Sequence, residues 1–298
     1  MLVTMKEILD KAMAGKYAVG AFNVPNLESI QATIEAAEEL GVPVIIQHAQ
    51  VHEDEGLTTL DEIGPTMVDY AKRAKVPVCV HLDHGVDFDY LVRAMHMGFT
   101  SVMIDASAKP YEENLAITKE VCKVAHALNV SVEAELGAMF NSAIGSGGRA
   151  ASSLDDYDSA DEVYTNPKQA KEFVEATGVD ALAIAFGTVH GVYLTKPKLD
   201  LDRVKLIHDA CGIPLVMHGG SGVSDEDNRT AINNGITKIN YYTYGTMAGA
   251  NAVRDYLATK AEGEKIFFHD IVAEAKKGIK ADVKRAMEIF ATNLLAAR

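Results

Sequence analysis

The sequence has little cysteine and no cysteine motif. Cys79, Cys122 and Cys211 are the three cysteines among 298 residues, and their spacing matches no metal-binding or redox pattern. An odd number of widely separated cysteines is typical of buried free thiols in a reducing compartment. We therefore expect no disulfide framework and a cytoplasmic protein.

Long apolar runs and a positive charge balance are also missing. No apolar run reaches the ~18 residues of a membrane-spanning helix, and residues 1–16 lack the apolar core of a signal peptide. The formal net charge is −14, whereas nucleic acids and anionic membranes attract positive surfaces. We therefore expect neither a nucleic-acid nor a membrane partner. A phosphate ligand remains compatible with this charge, because backbone N–H groups and a metal ion supply positive potential locally.

Short apolar runs alternate with longer amphipathic segments along the chain. The runs are rich in Val, Ile and Ala and lack strict alternation, which is typical of parallel strands covered by helices on both faces. Eight such strands are predicted, at residues 17–22, 42–47, 76–83, 101–105, 131–136, 181–186, 214–218 and 236–240.

The amphipathic segments carry apolar residues every three or four positions, which predicts helices. The βα alternation predicts an α/β fold, a (β/α)₈ TIM barrel, as a single domain over residues 1–298. The alternative is an open doubly wound sheet, whose usual glycine-rich loop after the first strand is missing at residues 22–25. Helices are predicted at residues 27–40, 88–97, 112–128, 168–176, 202–210 and 225–234, with two or three more between 243 and 298.

One connection, after the fifth strand, is unusually long. Residues 137–167 show little periodicity, with a Gly-, Ser- and Ala-rich part at 141–153 and an acidic part at 155–162. Loops of this length in compact domains are usually functional or disordered. We expect a mobile loop at the active site.

Polar residues gather at the predicted strand ends, where barrels carry their functional sites. His84, His190 and His218 lie at or just after three of these ends, and three neutral imidazoles around an open position form a catalytic Zn²⁺ site. Asp83 beside His84 is either a general acid–base or a partner that orients a histidine ligand. The glycine-rich turn at residues 219–222 can cradle a phosphate with its backbone N–H groups.

Seven segments together resemble the class II, metal-dependent fructose-bisphosphate and tagatose-bisphosphate aldolases. The resemblance covers nearly the whole chain, and the combination of motifs is far more specific than any one of them. The segments are AVGAFNV (18–24), HLDHG (81–85), SVMIDA (101–106), VEAELG (132–137), FGTVHGVY (186–193), VMHGGSG (216–222) and KINYYT (238–243).

The resemblance implies a set of roles. The three histidines named above would be the catalytic zinc ligands, and Asp83 the proton shuttle at the C4 hydroxyl of the substrate. Asp105 and Glu135 resemble ligands of a second, non-catalytic or alternative divalent metal position. A monovalent cation, Na⁺ or K⁺, near the phosphate turn and a homodimer or homotetramer are also implied. The residues that resemble substrate contacts are Asn23, Gly191, Gly219, Ser221, Asn240 and Thr243.

The implied reaction is the reversible cleavage of a ketose bisphosphate into dihydroxyacetone phosphate and an aldehyde. The metal would polarise the ketose carbonyl and stabilise the enediolate, and no lysine Schiff base is required. Lys238 is the only lysine near a predicted strand end that could suggest a Schiff base.

The sequence departs from the family pattern in three places. The family usually has a glutamate in a short Gly-Gly-X-Glu-Asp loop after the ELG motif, but residues 138–148 contain no acid. Ala49 stands where a serine is common, and the acidic segment 52–55 follows it. Tyr241 and Tyr242 replace smaller or acidic residues on the phosphate side.

These departures leave other functions open. The distal group of the ketose is a phosphate or, alternatively, belongs to a sulfonated, deoxy or unphosphorylated sugar. A metal-dependent barrel hydrolase and a non-catalytic metal-binding homologue are further alternatives. Release of an aldehyde and a ketone, instead of an acid or an alcohol, distinguishes an aldolase from a hydrolase.

Overall fold

Eight parallel strands close into a barrel in the computed structural model, which describes residues 1–146 and 150–298. The TIM-barrel prediction is confirmed, and the eight predicted strands match the observed ends to within two residues. In order around the barrel the strands are β1 (Val19–Asn23), β10 (Ile236–Tyr241), β9 (Leu215–Met217), β7 (Ala181–Ile184), β5 (Ser131–Leu136), β4 (Ser101–Ile104), β3 (Val78–Gly85) and β2 (Val44–Ala49).

Helices surround the barrel and extend beyond it at the C-terminus. The predicted helices are present within one residue at each end, and the tail forms three helices. No described helix combines the length and the apolar character needed to cross a bilayer. The helices are α1 (Met5–Gly15), α2 (Leu27–Leu40), α3 (Gln50–Asp54), α4 (Leu60–Arg73), α5 (Phe88–Met97), α6 (Tyr111–Ala127), α7 (Pro167–Thr177), α8 (Leu201–Cys211), α9 (Asp225–Asn233), α10 (Thr243–Ala258), α11 (Phe268–Phe290) and α12 (Thr292–Ala296).

Three of these helices, α1, α3 and α4, are missing from the sequence-based prediction. Helix α4 contains Gly64 and Pro65, which ordinarily break a helix, and a capping box at Thr59 fixes its start. Helix α3 has only five residues, too few for a periodic pattern.

Helix α1 closes one end of the barrel. Its buried Met5, Ile8 and Leu9 pack against inward-facing residues of the strands, among them Val19 and Ile45. The backbone N–H of Lys6 donates to the Ser131 hydroxyl at the start of β5, which places the helix at the N-terminal ends of the strands. Only the C-terminal end of the barrel therefore remains open for a site.

The cysteines are free, as predicted. Cys79 and Cys122 are buried, whereas Cys211 is half-buried, so the expectation of full burial is wrong for Cys211.

The long connection after β5 is more structured than its sequence indicates. It contains a short strand, β6 (Phe140–Asn141), which pairs with β8 (Val189–His190), and 3₁₀ turns at Leu154–Asp156 and Ala160–Glu162. The pairing joins segments far apart in the chain, so no local pattern reveals it. Residues 147–149 of the predicted mobile loop lie outside the described residues, and its mobility remains a prediction.

A charged pair lies inside the barrel, above the layer that α1 covers. Lys238 and Glu133 are fully buried, and Lys238 Nζ lies 2.8 Å from Glu133 Oε2. Burial raises the pKa of Glu133, but Lys238 and His218 lower it by more, to about 2. The Glu133 carboxylate therefore stays ionised and depends on its partner Lys238, because an isolated charge is very unfavourable in such surroundings.

Replacing Lys238 by methionine tests this pair. The change leaves the Glu133 carboxylate without its cation, and we expect the free energy of unfolding to fall by about 3–5 kcal/mol. Urea denaturation followed by circular dichroism measures the change. Lys168→Met, at a side chain that is 86% exposed, is the matched control and is expected to stay within about 0.5 kcal/mol of the parent. Equal unfolding free energies for the two variants would contradict the structural role of the pair.

Candidate active site

Three histidines converge at the open end of the barrel. His84 is the penultimate residue of β3, His190 lies on β8 and His218 directly follows β9. One nitrogen from each ring lies within 4.8 Å of the others. The centroid of the His84 ring is 5.1 Å from the centroid of the His190 ring and 4.6 Å from that of the His218 ring. The structure thus brings together the three residues that the sequence singled out.

The backbone at His84 explains how two adjacent residues both reach the mouth. Regular strand geometry would send Asp83 and His84 to opposite faces. His84 instead has φ +46°, in the left-handed region, and the pairing between β3 and β4 shifts register between Leu82 and Gly85. The conformation costs on the order of 1–2 kcal/mol for a non-glycine residue. Such strain at a strand end is typical of functional sites.

An oxygen acceptor near one nitrogen fixes the orientation of each ring. Asp105 Oδ2 lies 2.7 Å from His84 Nδ1, and Glu133 Oε1 lies 2.9 Å from His218 Nε2. Asn141 Oδ1 lies 3.3 Å from His190 Nδ1. Carboxylates and amides hold metal-binding histidines in this way in general. The β6–β8 pairing therefore has a role, because it places Asn141 beside His190.

The other nitrogen of His218 fits a metal ligand. Nδ1 is buried, makes no hydrogen bond among the described residues and lies 3.3 Å from Glu135 Oε2. Burial lowers the pKa of His218, which favours the neutral imidazole that a cation requires. This donor set suits a divalent cation.

A second set of possible ligands overlaps the first. His84, Asp105 and Glu135 each offer one atom within 4.8 Å of the others. Burial raises the pKa of Asp105, and the hydrogen bond with His84 together with other contacts lowers it by more. Because His84 belongs to both sets, the two positions are neighbours.

The Asp83 carboxylate is held by three amide groups. Asn23 Nδ2 and Gln47 Nε2 donate to Oδ2, at 3.0 and 3.1 Å. Asn240 Nδ2 donates to Oδ1 at 3.0 Å. Burial raises the pKa of Asp83, but nearby imidazoles, His84 first, lower it by more. The carboxylate is therefore ionised and fixed in orientation.

Glycines build the opposite side of the mouth. Gly219 has φ +64° and Gly191 has φ +94°, and a Cβ at either would lie within 2.4 Å of a backbone oxygen, of Val189 or Ile144 respectively. Only glycine fits there. The hydroxyl of Ser221 accepts from the backbone N–H of Tyr242 at 3.1 Å.

Two helix N-termini lie near this glycine turn, and they differ. Helix α9 begins with Asp225, Glu226 and Asp227, so its own acids occupy the positive end. Helix α10 begins at Thr243, carries no acid in its first turn and has no side-chain cap. An anion at the glycine turn is therefore stabilised better by the start of α10 than by the start of α9.

These groups surround one cavity of about 670 Å³, a volume typical of a small-molecule site. Ala143 and Ile144 also line it, so the long connection contributes to the site. His218, Asp105 and Glu135 do not line it but lie next to His84, which does. The predicted site residues that line the cavity are Asn23, Asp83, His84, His190, Gly191, Gly219, Ser221, Asn240 and Thr243.

Three contributing residues escaped the sequence analysis: Gln47, Asn141 and Glu133. The sequence did contain a signal for Glu133. It lies two residues before Glu135 on β5, and residues two apart on a strand share one face. Asn141 and Gln47 carry no such signal, since their partners come from distant segments.

Comparison with known proteins identifies the family of the chain. The model of the class II fructose-bisphosphate aldolase family matches residues 3–293. The fructose-bisphosphate aldolase of Geobacillus stearothermophilus is 42% identical over 301 residues, covering 100% of this chain and 99% of that protein. The fructose-bisphosphate aldolase of Staphylococcus aureus strain Mu50 is 40% identical, covering 98% of each.

A solved structure shares the fold over the same length. The YdjI aldolase from Escherichia coli K12 superposes with a TM-score of 0.83 at 36% identity, covering 98% of each chain. With the barrel, the histidine cluster and these relatives in agreement, the chain belongs to the class II fructose-bisphosphate aldolase family and is an aldolase, a carbon–carbon lyase.

Proposed function

We propose that this aldolase is metal-dependent and reversibly cleaves a ketose phosphate into dihydroxyacetone phosphate and an aldehyde. The family resemblance names fructose 1,6-bisphosphate and tagatose 1,6-bisphosphate as such ketoses, and a ketose with a sulfonated, deoxy or unphosphorylated distal group is the alternative. The observation that carries it is the convergence of three imidazoles beside an amide-held carboxylate, Asp83, in one cavity.

His84, His190 and His218 would hold the catalytic cation, and three imidazoles with an open position favour Zn²⁺. When bound there, the cation acts as a Lewis acid on the ketose carbonyl. Asp105 and Glu135, with His84, would serve a second divalent position. A monovalent cation, Na⁺ or K⁺, near the glycine turn and a homodimer or homotetramer remain predictions.

Asp83 is the acid–base of the proposal. Its carboxylate accepts the proton of the C4 hydroxyl, the C3–C4 bond breaks, and C4 becomes the aldehyde carbon. The electron pair of the broken bond stays with the three-carbon half. The amides of Asn23, Gln47 and Asn240 keep one face of the carboxylate directed at the cavity.

The phosphate of the three-carbon half would lie at the glycine turn. Gly191, Gly219 and Ser221 line that side of the cavity, and the start of α10 at Thr243 supplies a partial positive charge. Asn23 and Asn240 line the cavity as well as binding Asp83, so they would contact substrate hydroxyls.

Metal removal tests the proposed cofactor. Dialysis against a chelator is expected to abolish release of dihydroxyacetone phosphate, and Zn²⁺ is expected to restore it, because no lysine or arginine in the described part of the chain lines the cavity to replace the Lewis acid. Borohydride added with substrate should trap no lysine adduct, since Lys238 is bound to Glu133 inside the barrel. Full activity in chelator together with a trapped adduct would contradict the proposal.

Asp83→Asn tests the acid–base role. The amide keeps the size of the side chain but cannot take a proton, so kcat should fall on the order of 10²–10⁴-fold. Zinc content measured by atomic spectroscopy should stay equal to that of the parent. Asp89→Asn, at an exposed residue of α5, is the matched control and should keep parental kcat. Loss of zinc in Asp83→Asn would instead assign Asp83 to the metal site.

A further inference from the structure

The cavity has a second end, next to Asp83. Ala49, at the tip of β2, pairs in register with Asp83, and α3 begins at the next residue. His52 and Glu55 from this segment line the cavity. The glycine turn after β9 lies on another side of the mouth, because β10 and β1 separate β9 from β2. A substrate whose phosphate occupies the glycine turn and whose C4 hydroxyl contacts Asp83 therefore extends its distal carbons toward α3.

The chemistry of this distal wall is acidic and aromatic. The ring of His52, itself 3% exposed, lies 5.1 Å from the ring of Tyr242. The carboxylate-bearing residue Glu55 lines the cavity together with these two rings. Among residues 1–146 and 150–298, no lysine or arginine lines the cavity.

A terminal phosphate needs a positively charged partner, and the described residues of this wall include no lysine or arginine. Phosphate groups in proteins bind to arginine, lysine, a metal or clustered backbone N–H groups, whereas a nearby carboxylate repels them. A sugar hydroxyl, in contrast, donates a hydrogen bond to a carboxylate and packs against aromatic rings. The wall therefore discriminates between substrates in two ways: it repels a distal phosphate and attracts a distal hydroxyl group.

We propose that this aldolase selects ketose 1-phosphates with a neutral, hydroxylated distal end and rejects ketose 1,6-bisphosphates, with Glu55 as the discriminating residue. This inference rests on the proposed function, since the direction of the substrate follows from Asp83 and the glycine turn.

The synthetic direction provides the test, because it does not depend on the stereochemistry of the ketose. The zinc-loaded full chain receives dihydroxyacetone phosphate with glyceraldehyde or with glyceraldehyde 3-phosphate, and consumption of dihydroxyacetone phosphate is measured. We expect kcat/KM for glyceraldehyde to exceed that for glyceraldehyde 3-phosphate by at least about tenfold, with a smaller ratio at high salt.

The outcomes separate the two proposals. An equal or higher kcat/KM for the phosphorylated aldehyde overturns the inference and leaves the proposed function intact. Failure of both aldehydes to react, together with failure of fructose and tagatose 1,6-bisphosphates to be cleaved, overturns the proposed function itself.

The variant Glu55→Lys tests whether Glu55 is responsible for the selectivity. We expect kcat/KM for glyceraldehyde 3-phosphate to rise by about tenfold, because an attraction replaces a repulsion, and that for glyceraldehyde to fall severalfold with the lost acceptor. Glu175→Lys, an identical charge change at an exposed residue near the end of α7, is the control and should alter neither value. An unchanged preference in Glu55→Lys, with activity retained, overturns the assignment.

Discussion

The Glu133 carboxylate lies fully buried inside the barrel. It contacts two residues that connect it to the site at the open end of the barrel. One oxygen binds His218, and the other binds Lys238. Lys238 donates to Asn240 Oδ1, and Asn240 donates to Asp83. The histidine cluster and the acid–base are therefore oriented from a common buried charge, and a change at that charge alters the geometry of both.

Such a network is stable only because each charge has a partner. A buried charge without one costs several kcal/mol, so the pair tolerates no single replacement. Helix α1 contributes by covering the N-terminal end of the barrel with apolar side chains, which keeps water away from the interior. The rigidity that results suits a site whose imidazoles and carboxylate must keep fixed distances.

The mouth of the barrel is divided electrostatically. On one side, glycines and the uncapped start of α10 present backbone N–H groups without a competing acid. On the other side, His52 of α3 and the following Glu55 line the cavity, and the ring of Tyr242 lies beside His52. In a chain with a formal net charge of −14, the first side is a local exception that an anion can use. The difference between the two sides orients a substrate, with its phosphate at the glycines and its other end at Glu55.

The sequence by itself determined the barrel and most of the candidate site, because strand periodicity and strand-end residues are local features. The eight strands, the three histidines and Asp83 follow from such features. The tertiary structure alone decided the roles of Gln47 and Asn141, because each binds a partner from a distant segment. It also brought the start of α10 beside the glycine turn that the sequence assigned to the phosphate. Which helix start faces the cavity depends on how distant elements pack around the barrel, and no local pattern contains that information.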